Sequence, residues 1–329
     1  MKTPRRILIS PLDWGLGHAS RIIPLINRYL EQGDNVIIAG SGLSLNLLKK
    51  QFPTLESIEI PSFKMKYSAG KSQVWAVIKA FPRLIYYSIR EHSALKRIVK
   101  EKNIDFIISD NRFGLYHKTV PSAYITHQLL IKLPKGWAWL EPFVAFVHRC
   151  IINRFTECWV PDFEDMSESL AGELSHPAKK PRNVKYIGTL SRFQLGVRSE
   201  ELGVRSEELG VRNLVIAILS GAEPQRSIFE KELLVSLQSK PHENIILVQG
   251  KIEAEQKITQ VGKVTVYNFM SSEELQEYIL KADEIICRSG YSSIMDLYAL
   301  GKLLNATLIP TPGQTEQEYL AKYISNHIK

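Results

Sequence analysis

The amino-acid sequence predicts two α/β domains, each a doubly wound and mostly parallel sheet, separated by a linker. Three observations carry that prediction. Short apolar runs alternate with helical patterns in both halves of the 329-residue chain, and strand, helix, strand with short connections is the signature of a parallel sheet covered by helices. The alternation stops once, over residues 195–213, where LGVRSEE occurs twice in tandem and a third LGVR follows. A hydrophobic content of 44% in a chain of this length supplies two cores of ordinary size.

Taken in order, Arg6–Ser10 (RILIS) is a short apolar strand, followed by a glycine-containing turn and a helical pattern from about Ser20 to Gln32. The strand Asn35–Ala39 (NVIIA) comes next, then a helix around Leu43–Lys50, a strand near Ser57–Ile60 and a long helix from about Val74 to Lys100. Asp105–Ser109 (DFIIS), Ser122–Thr126 (SAYIT) and Cys158–Val160 (CWV) read as further buried strands of a first domain, residues 1–190. The seven-residue repeat carries only Leu and Val as apolar side chains, too little surface to stack as a solenoid. Residues 191–213 are therefore expected to be a linker, with the glycine in each copy opposing a stable helix. The rhythm restarts at Leu214–Leu219 (LVIAIL) and runs through a helix to about Gln238, strands Asn244–Val248 and Val264–Tyr267, a helix Ser272–Ala282, and the strand Glu284–Cys287. Residues 214–329 form the second expected domain.

Several function classes are excluded or disfavoured. The start, MKTPRRILIS, passes straight from basic residues into a strand with no secretory signal, so a cytoplasmic location is expected. Cys150, Cys158 and Cys287 are too few and scattered for a disulfide framework and lack metal-ligand spacing. No apolar run is long enough to span a bilayer, since even Trp137–Ile152 is broken by Glu141, Pro142, His148 and Arg149. The net charge of +8 is uneven: residues 1–194 hold 28 Lys and Arg against 16 Asp and Glu, and residues 195–329 hold 14 against 18. A first half at +12 suggests a polyanionic neighbour, and without a nucleic-acid motif an anionic membrane is preferred to nucleic acid. The local motif is Lys64, Lys66, Lys71, Lys79, Arg83 and Arg90 interleaved with Phe63, Trp75, Phe81, Tyr86 and Tyr87, joined by Trp139, Phe143 and Phe146 beside Arg149 and Arg154. A long helix with a core of aromatics and a wet lysine face is the structural alternative.

The first chemical motif lies between the first strand and the first helix, at Gly15, Leu16, Gly17, His18, Ala19, Ser20, Arg21. Gly15 and Gly17 let a ligand approach a helix start, where unpaired amides attract negative charge. The stretch falls short of a dinucleotide fingerprint, lacking the third glycine and the acidic residue on the next strand. His18 stands at the carboxyl edge of the sheet, where α/β proteins place ligands, and histidine suits proton abstraction near neutrality. A histidine capping its own helix is the alternative. Asp110 after DFIIS, and His127 with Gln128 after SAYIT, fall on the same edge as acceptor-side candidates or as plain caps.

The second motif follows the strand Glu284–Cys287: Arg288, Ser289, Gly290, Tyr291, Ser292, Ser293, then a helix carrying Asp296. A helix N-terminus, hydroxyls and a guanidinium suit a diphosphate, and a carboxylate further along suits a ribose diol. Capping by Ser289 or Ser292 is the structural alternative. A polar run, Pro310–Glu318, follows another strand at Thr307–Ile309.

Together, RSGYSSIMDLYALGK, LIPTPGQTEQEYLA and GLGHASR resemble glycosyltransferase family 28, closely over about Tyr267–Ala321 and loosely in the first half. The resemblance implies a GT-B fold of two Rossmann-like domains, with the acceptor on the first, a nucleotide sugar on the second and catalysis in the cleft between them. It places Arg288, Ser289 and Gly290, with Tyr291 and Ser292, at the diphosphate. Asp296 stands where the family has a ribose-binding glutamate. Gln317 and Glu318 stand where it has paired glutamines near the sugar, and Ser220 and Gly221 match its second-domain glycine loop. The uracil-binding backbone is implied between Asn268 and Ser272, at Phe269 and Met270. The chain stops at Lys329, shortly after the donor motif, so an incomplete C-terminal domain is expected. The implied activity is an inverting, metal-independent transfer of an N-acetylglucosamine-like hexosyl group from a UDP-sugar to a hydroxyl acceptor, lipid-linked at the inner face of the plasma membrane. His18 is the base, and no cofactor takes part. A nucleotide-sugar hydrolase or epimerase, and a truncated non-catalytic binding protein, are the competing readings.

Overall fold

The computed structural model describes residues 3–63, 74–193, 213–251, 253 and 255–327, and for 74–81 the helical backbone alone. The predicted linker repeats at 195–212 and the lysines Lys64, Lys66 and Lys71 lie outside the described residues, as do the side chains of Trp75, Lys79 and Phe81. The chain forms two compact units, Met1–Leu190 and Ser191–Lys329.

The first unit runs β1 (Arg6–Pro11), α1 (Leu16–Glu31), β2 (Asn35–Gly40), α2 (Gly42–Gln51), β3 (Glu56–Glu59), α3 (Val74–Lys102), β4 (Phe106–Asp110), β5 (Ser122–Ile125), α4 (Glu141–Ile152), β6 (Glu157–Val160) and β7 (Val184–Tyr186). Its sheet has the order β3-β2-β1-β4-β5-β6-β7, with every pairing parallel. The central strands are continuous apolar runs because both faces are covered: Leu8 of β1 pairs with Ile37 on one side and Ile107 on the other. On one face these side chains pack with Ile60, Leu95 and Ile98. The order reverses at β1, so the connections that leave the paired carboxyl ends of β1 and β4 run in opposite directions, the switch point at which open α/β sheets place ligands.

Helix α1 begins at Leu16, four residues before the sequence predicts, because Gly15 turns the chain at φ 141°, a conformation that favours glycine. This places His18 inside the first helical turn rather than in the loop before it. A further polar group sits deep in this unit. Arg112, 1% exposed, reaches Glu91 of α3 at 3.0 Å, the Ser10 hydroxyl at 3.1 Å and the Pro61 carbonyl at 2.9 Å. Gly114 stands so close to α3 that an added β-carbon would lie 2.3 Å from the Ser88 carbonyl oxygen. Its N–H donates to Glu91. Burial pushes the Glu91 carboxyl up, and the Arg112 charge offsets only part of this.

The second unit runs β8 (Leu214–Ile218), α5 (Gln225–Gln238), β9 (Asn244–Val248), β10 (Ile258–Val261), β11 (Val264–Tyr267), α6 (Ser272–Lys281), β12 (Glu284–Arg288), α7 (Tyr291–Ala299), β13 (Ala306–Ile309) and α8 (Thr315–His327). The sheet order is β10-β11-β9-β8-β12-β13, parallel except for the β10–β11 hairpin. The core gathers Val215 and Ala217 of β8, Phe229 and Leu233 of α5 and Leu247 of β9. Strands β7 and β10 and helices α4 and α8 have no counterpart in the sequence prediction. Strand β10 is exposed along its whole length, so it carries no apolar alternation. No helix among the described residues is long and apolar enough to cross a membrane.

Candidate functional site

In the first unit the carboxyl ends of β1, β4 and β5 bring together three of the residues singled out from the sequence. His18, on the first turn of α1, points Nδ1 at Asp110 Oδ2 over 3.0 Å. Asp110 closes β4 and is fully buried, whereas the His18 side chain is 20% exposed. His127, just beyond β5, is buried beside them. Arg21, to which the sequence assigns no role, lies at their centre. It is three residues after His18, so the two share one helix face, and its Nε donates to Asp110 Oδ2 at 3.0 Å. One terminal nitrogen, Nη2, donates to Asp110 Oδ1 and lies 2.9 Å from His18 Nδ1, while Nη1 is 3.5 Å from His127 Nδ1. Burial pushes the Asp110 carboxyl up, but the charges of Arg21 and His18 outweigh it and hold the group below its ordinary value.

The edge is open where a ligand needs room. Nothing lies within 4 Å of where a β-carbon on Gly15 would stand, and Gly15 itself occupies the cap position of α1. The first-turn amides around Gly17 thus present a positive helix end at the mouth of the cluster. The alternative reading of His18 as a cap of its own helix is not observed. Gln128 donates its backbone N–H to the Thr126 hydroxyl and is half-buried.

In the second unit, β12 leads through Ser289 into α7, whose cap position is Gly290 and neither of the two serines of the capping alternative. Space beside Gly290 is open, as it is beside Gly221, which follows Ser220 after β8 at φ 98°. Four side chains expected to face the donor bond the protein's own backbone instead, and two of them, Arg288 and Ser289, are buried. Arg288 is buried, donates to the Pro310 carbonyl at 2.8 Å and lies over the Phe229 ring at 3.7 Å. The buried Ser289 hydroxyl donates to the Gln317 carbonyl at 2.8 Å. Gln317 Oε1 accepts from the Thr311 N–H, and Glu318 Oε1 from that of Gly313. Arg288, Gln317 and Glu318 bond backbone groups of the β13–α8 turn, Pro310–Gln314, and Ser289 bonds the first turn of α8, since backbone groups that leave a sheet or begin a helix need partners. Gln317 and Glu318 also stand in the first turn of α8 and not in a loop.

The remaining donor-side candidates are placed as follows. Tyr291 is buried and Ser292 half-buried at the start of α7. Asp296, one turn on, accepts from the Ser191 hydroxyl at 2.6 Å and lies 3.7 Å from Arg192 Nε. Burial raises its carboxyl above the ordinary value, with Arg192 offsetting part of the shift. At the expected base-binding segment, the Phe269 N–H donates to the Asn268 side chain and its carbonyl accepts from Gln256. Phe269 is therefore already bonded internally, and Met270 beside it is buried.

Comparison with known proteins points to glycosyltransferases. Residues 215–329 match the glycosyltransferase family 28 C-terminal domain. A protein of Methanosarcina acetivorans described as an uncharacterized glycosyltransferase is 25% identical over 329 residues, covering 95% of this chain and 81% of that protein. Among solved structures, a UDP-glucosyltransferase from Polygonum tinctorium capable of glucosylating indoxyl superposes with a TM-score of 0.61 at 13% identity, covering 99% of this chain and 83% of that one. MurG of Acinetobacter baumannii gives 0.51 at 14% identity, covering 98% and 84%. Two doubly wound sheets and a second unit that matches a glycosyltransferase domain converge on one conclusion: the chain is a glycosyltransferase of GT-B fold, and its residues 215–329 match the family 28 C-terminal domain.

Proposed function

We propose that the chain is an inverting, metal-independent hexosyltransferase that moves an N-acetylglucosamine-like sugar from a UDP-sugar to a hydroxyl acceptor. The observation that carries the chemistry is the 3.0 Å pair of His18 Nδ1 and buried Asp110. Such a pair orients an imidazole so that Nε2 faces the acceptor. His18 Nε2 takes the hydroxyl proton as the acceptor oxygen bonds to the anomeric carbon. The bond to the diphosphate breaks, and its electron pair leaves with UDP. The positive end of α7, at Gly290 and Ser292, stabilises the departing charge, as helix N-termini do. Asp296 takes the ribose diol, with Ser220 and Gly221 lining the same sheet edge. Turnover of a panel of UDP-sugars, with and without membrane lipid acceptors, tests the reading. The expected result is consumption of UDP-N-acetylglucosamine only when acceptor is present. Release of free sugar without acceptor means a hydrolase, interconversion of sugars an epimerase, and binding without turnover a non-catalytic protein.

The acceptor is lipid-linked in this proposal, and the first unit rests on the anionic inner face of the plasma membrane. What supports this is exposure: Trp139, Phe143 and Phe146 are 74%, 63% and 55% exposed, while Ala145, His148 and Ile152 on the other face of α4 are buried. On α3, Ile85, Tyr86 and Ile89 are exposed as well, with the Arg90 guanidinium 5.8 Å from the Tyr86 ring. Of the aromatics that the alternative puts in the core, Phe63 is buried with Tyr87 half-buried against it, whereas Tyr86 is exposed. Aromatics beside arginine suit the headgroup layer, and each basic residue near an anionic surface contributes about 1 kcal/mol. In vesicle sedimentation, the pelleted fraction is expected to rise with anionic lipid and fall with salt. Equal recovery in the supernatant with neutral and anionic vesicles leaves a water-soluble acceptor instead.

A further inference from the structure

Arg21 has no part in the reaction proposed above, yet it touches every other member of the His18 cluster. A guanidinium terminal nitrogen has two hydrogens and no lone pair, and the group stays charged at any working pH. On Arg21 Nη2, one hydrogen goes to Asp110 Oδ1 and the other faces His18 Nδ1 at 2.9 Å. Its Nε donates to Asp110 Oδ2, the same oxygen that lies 3.0 Å from His18 Nδ1.

His18 Nδ1 therefore has two neighbours with opposite requirements. The carboxylate asks for an N–H, and the guanidinium asks for a lone pair. Both Asp110 oxygens already hold an Arg21 donor, so neither depends on His18. A proton on Nδ1 would also set two N–H donors against each other at 2.9 Å. We propose that Arg21 is a positioning residue that fixes the resting tautomer of His18, donating to Nδ1 and so keeping the ring proton on Nε2. In that state the nitrogen turned toward the acceptor is itself a donor, and base action begins only when the proton stands on Nδ1 against Asp110. The cluster then has two arrangements, one selected by Arg21 and one by Asp110. The titratable groups around the ring are Asp110 from β4, Arg21 from α1 and His127 after β5, with the Tyr124 hydroxyl of β5 beyond them, bonded to Asn111.

This inference rests on His18 being the base, but its test needs no substrate. Long-range proton–nitrogen correlation spectra of the full chain distinguish a protonated from an unprotonated ring nitrogen, and the His18 signal is the one absent from His18→Ala. At roughly pH 8, where ordinary histidines are neutral, the native chain is expected to show Nδ1 bare and Nε2 protonated. Arg21→Met, which removes the donor at similar length, is expected to move the proton to Nδ1 in most molecules. A protonated Nδ1 in the native chain overturns the proposal whether or not the variant folds, and so does an unchanged tautomer in folded Arg21→Met. Loss of turnover in His18→Ala is a separate result, so failure of the base assignment and failure of the tautomer assignment are told apart.

Discussion

Replacing His18 with alanine lowers sugar-transfer turnover by roughly 100-fold or more, the usual contribution of a positioned general base, equivalent to about 2.7 kcal/mol of barrier. The expectation follows from placement rather than residue type. His18 is held by a fully buried carboxylate at the switch point of the first sheet and keeps part of its ring exposed. The donor contacts proposed here belong to the other unit, so donor affinity should stay close to native while kcat falls. Equilibrium titration with UDP beside the turnover assay separates the two quantities. Full turnover in His18→Ala removes the histidine from the chemistry, whereas equal losses of turnover and UDP affinity point to general damage.

The largest stability effect is expected from Glu91→Leu. The variant leaves the Arg112 guanidinium, 1% exposed, with the Ser10 hydroxyl and the Pro61 carbonyl but no counter-charge. Removing one partner of a buried ion pair costs about 3–5 kcal/mol, because the other charge is left uncompensated in a low-dielectric interior. Arg112 ties β1 and α3 to the segment after β4, so the loss should appear as faster amide exchange in β1 and β4. Adding Arg112→Met to Glu91→Leu is expected to recover part of the loss, since two apolar groups make no unmet electrostatic demand. Glu56→Gln is the contrast: its pair with Lys102 is 47% and 38% exposed, and such surface pairs contribute about 0–1 kcal/mol. A cost for Glu91→Leu no larger than that of Glu56→Gln would make the buried pair a bystander.

Both predictions depend on side chains from distant parts of the chain, and this separates what was legible in the sequence from what was not. The strands of both sheets other than β7 and β10 were legible because buried parallel strands are short, continuous apolar runs, and Asn244–Val248 and Val264–Tyr267 match to the residue. Strand β10 and helix α8 were not, since one is wholly exposed and the other is polar in its first turn. Asp110 and His127 could be placed on the same edge as His18 because the alternation of strands and helices sets strand direction.

The sequence by itself determined two α/β units, the sheet edge that carries each site, the family of the second unit, and His18, Asp110 and His127 as neighbours on one edge. These are properties of periodicity, turn residues and local motif, all readable within a few residues. Only the tertiary structure decided that Arg21 stands between them, 89 residues from Asp110 and 106 from His127. It alone decided that Arg288, Gln317 and Glu318 bond the backbone of the Pro310–Gln314 turn and that Ser289 bonds the Gln317 carbonyl. The physical reason is that a motif fixes where a side chain starts. Where it ends depends on which buried backbone groups and charges nearby still need a partner, and packing settles that.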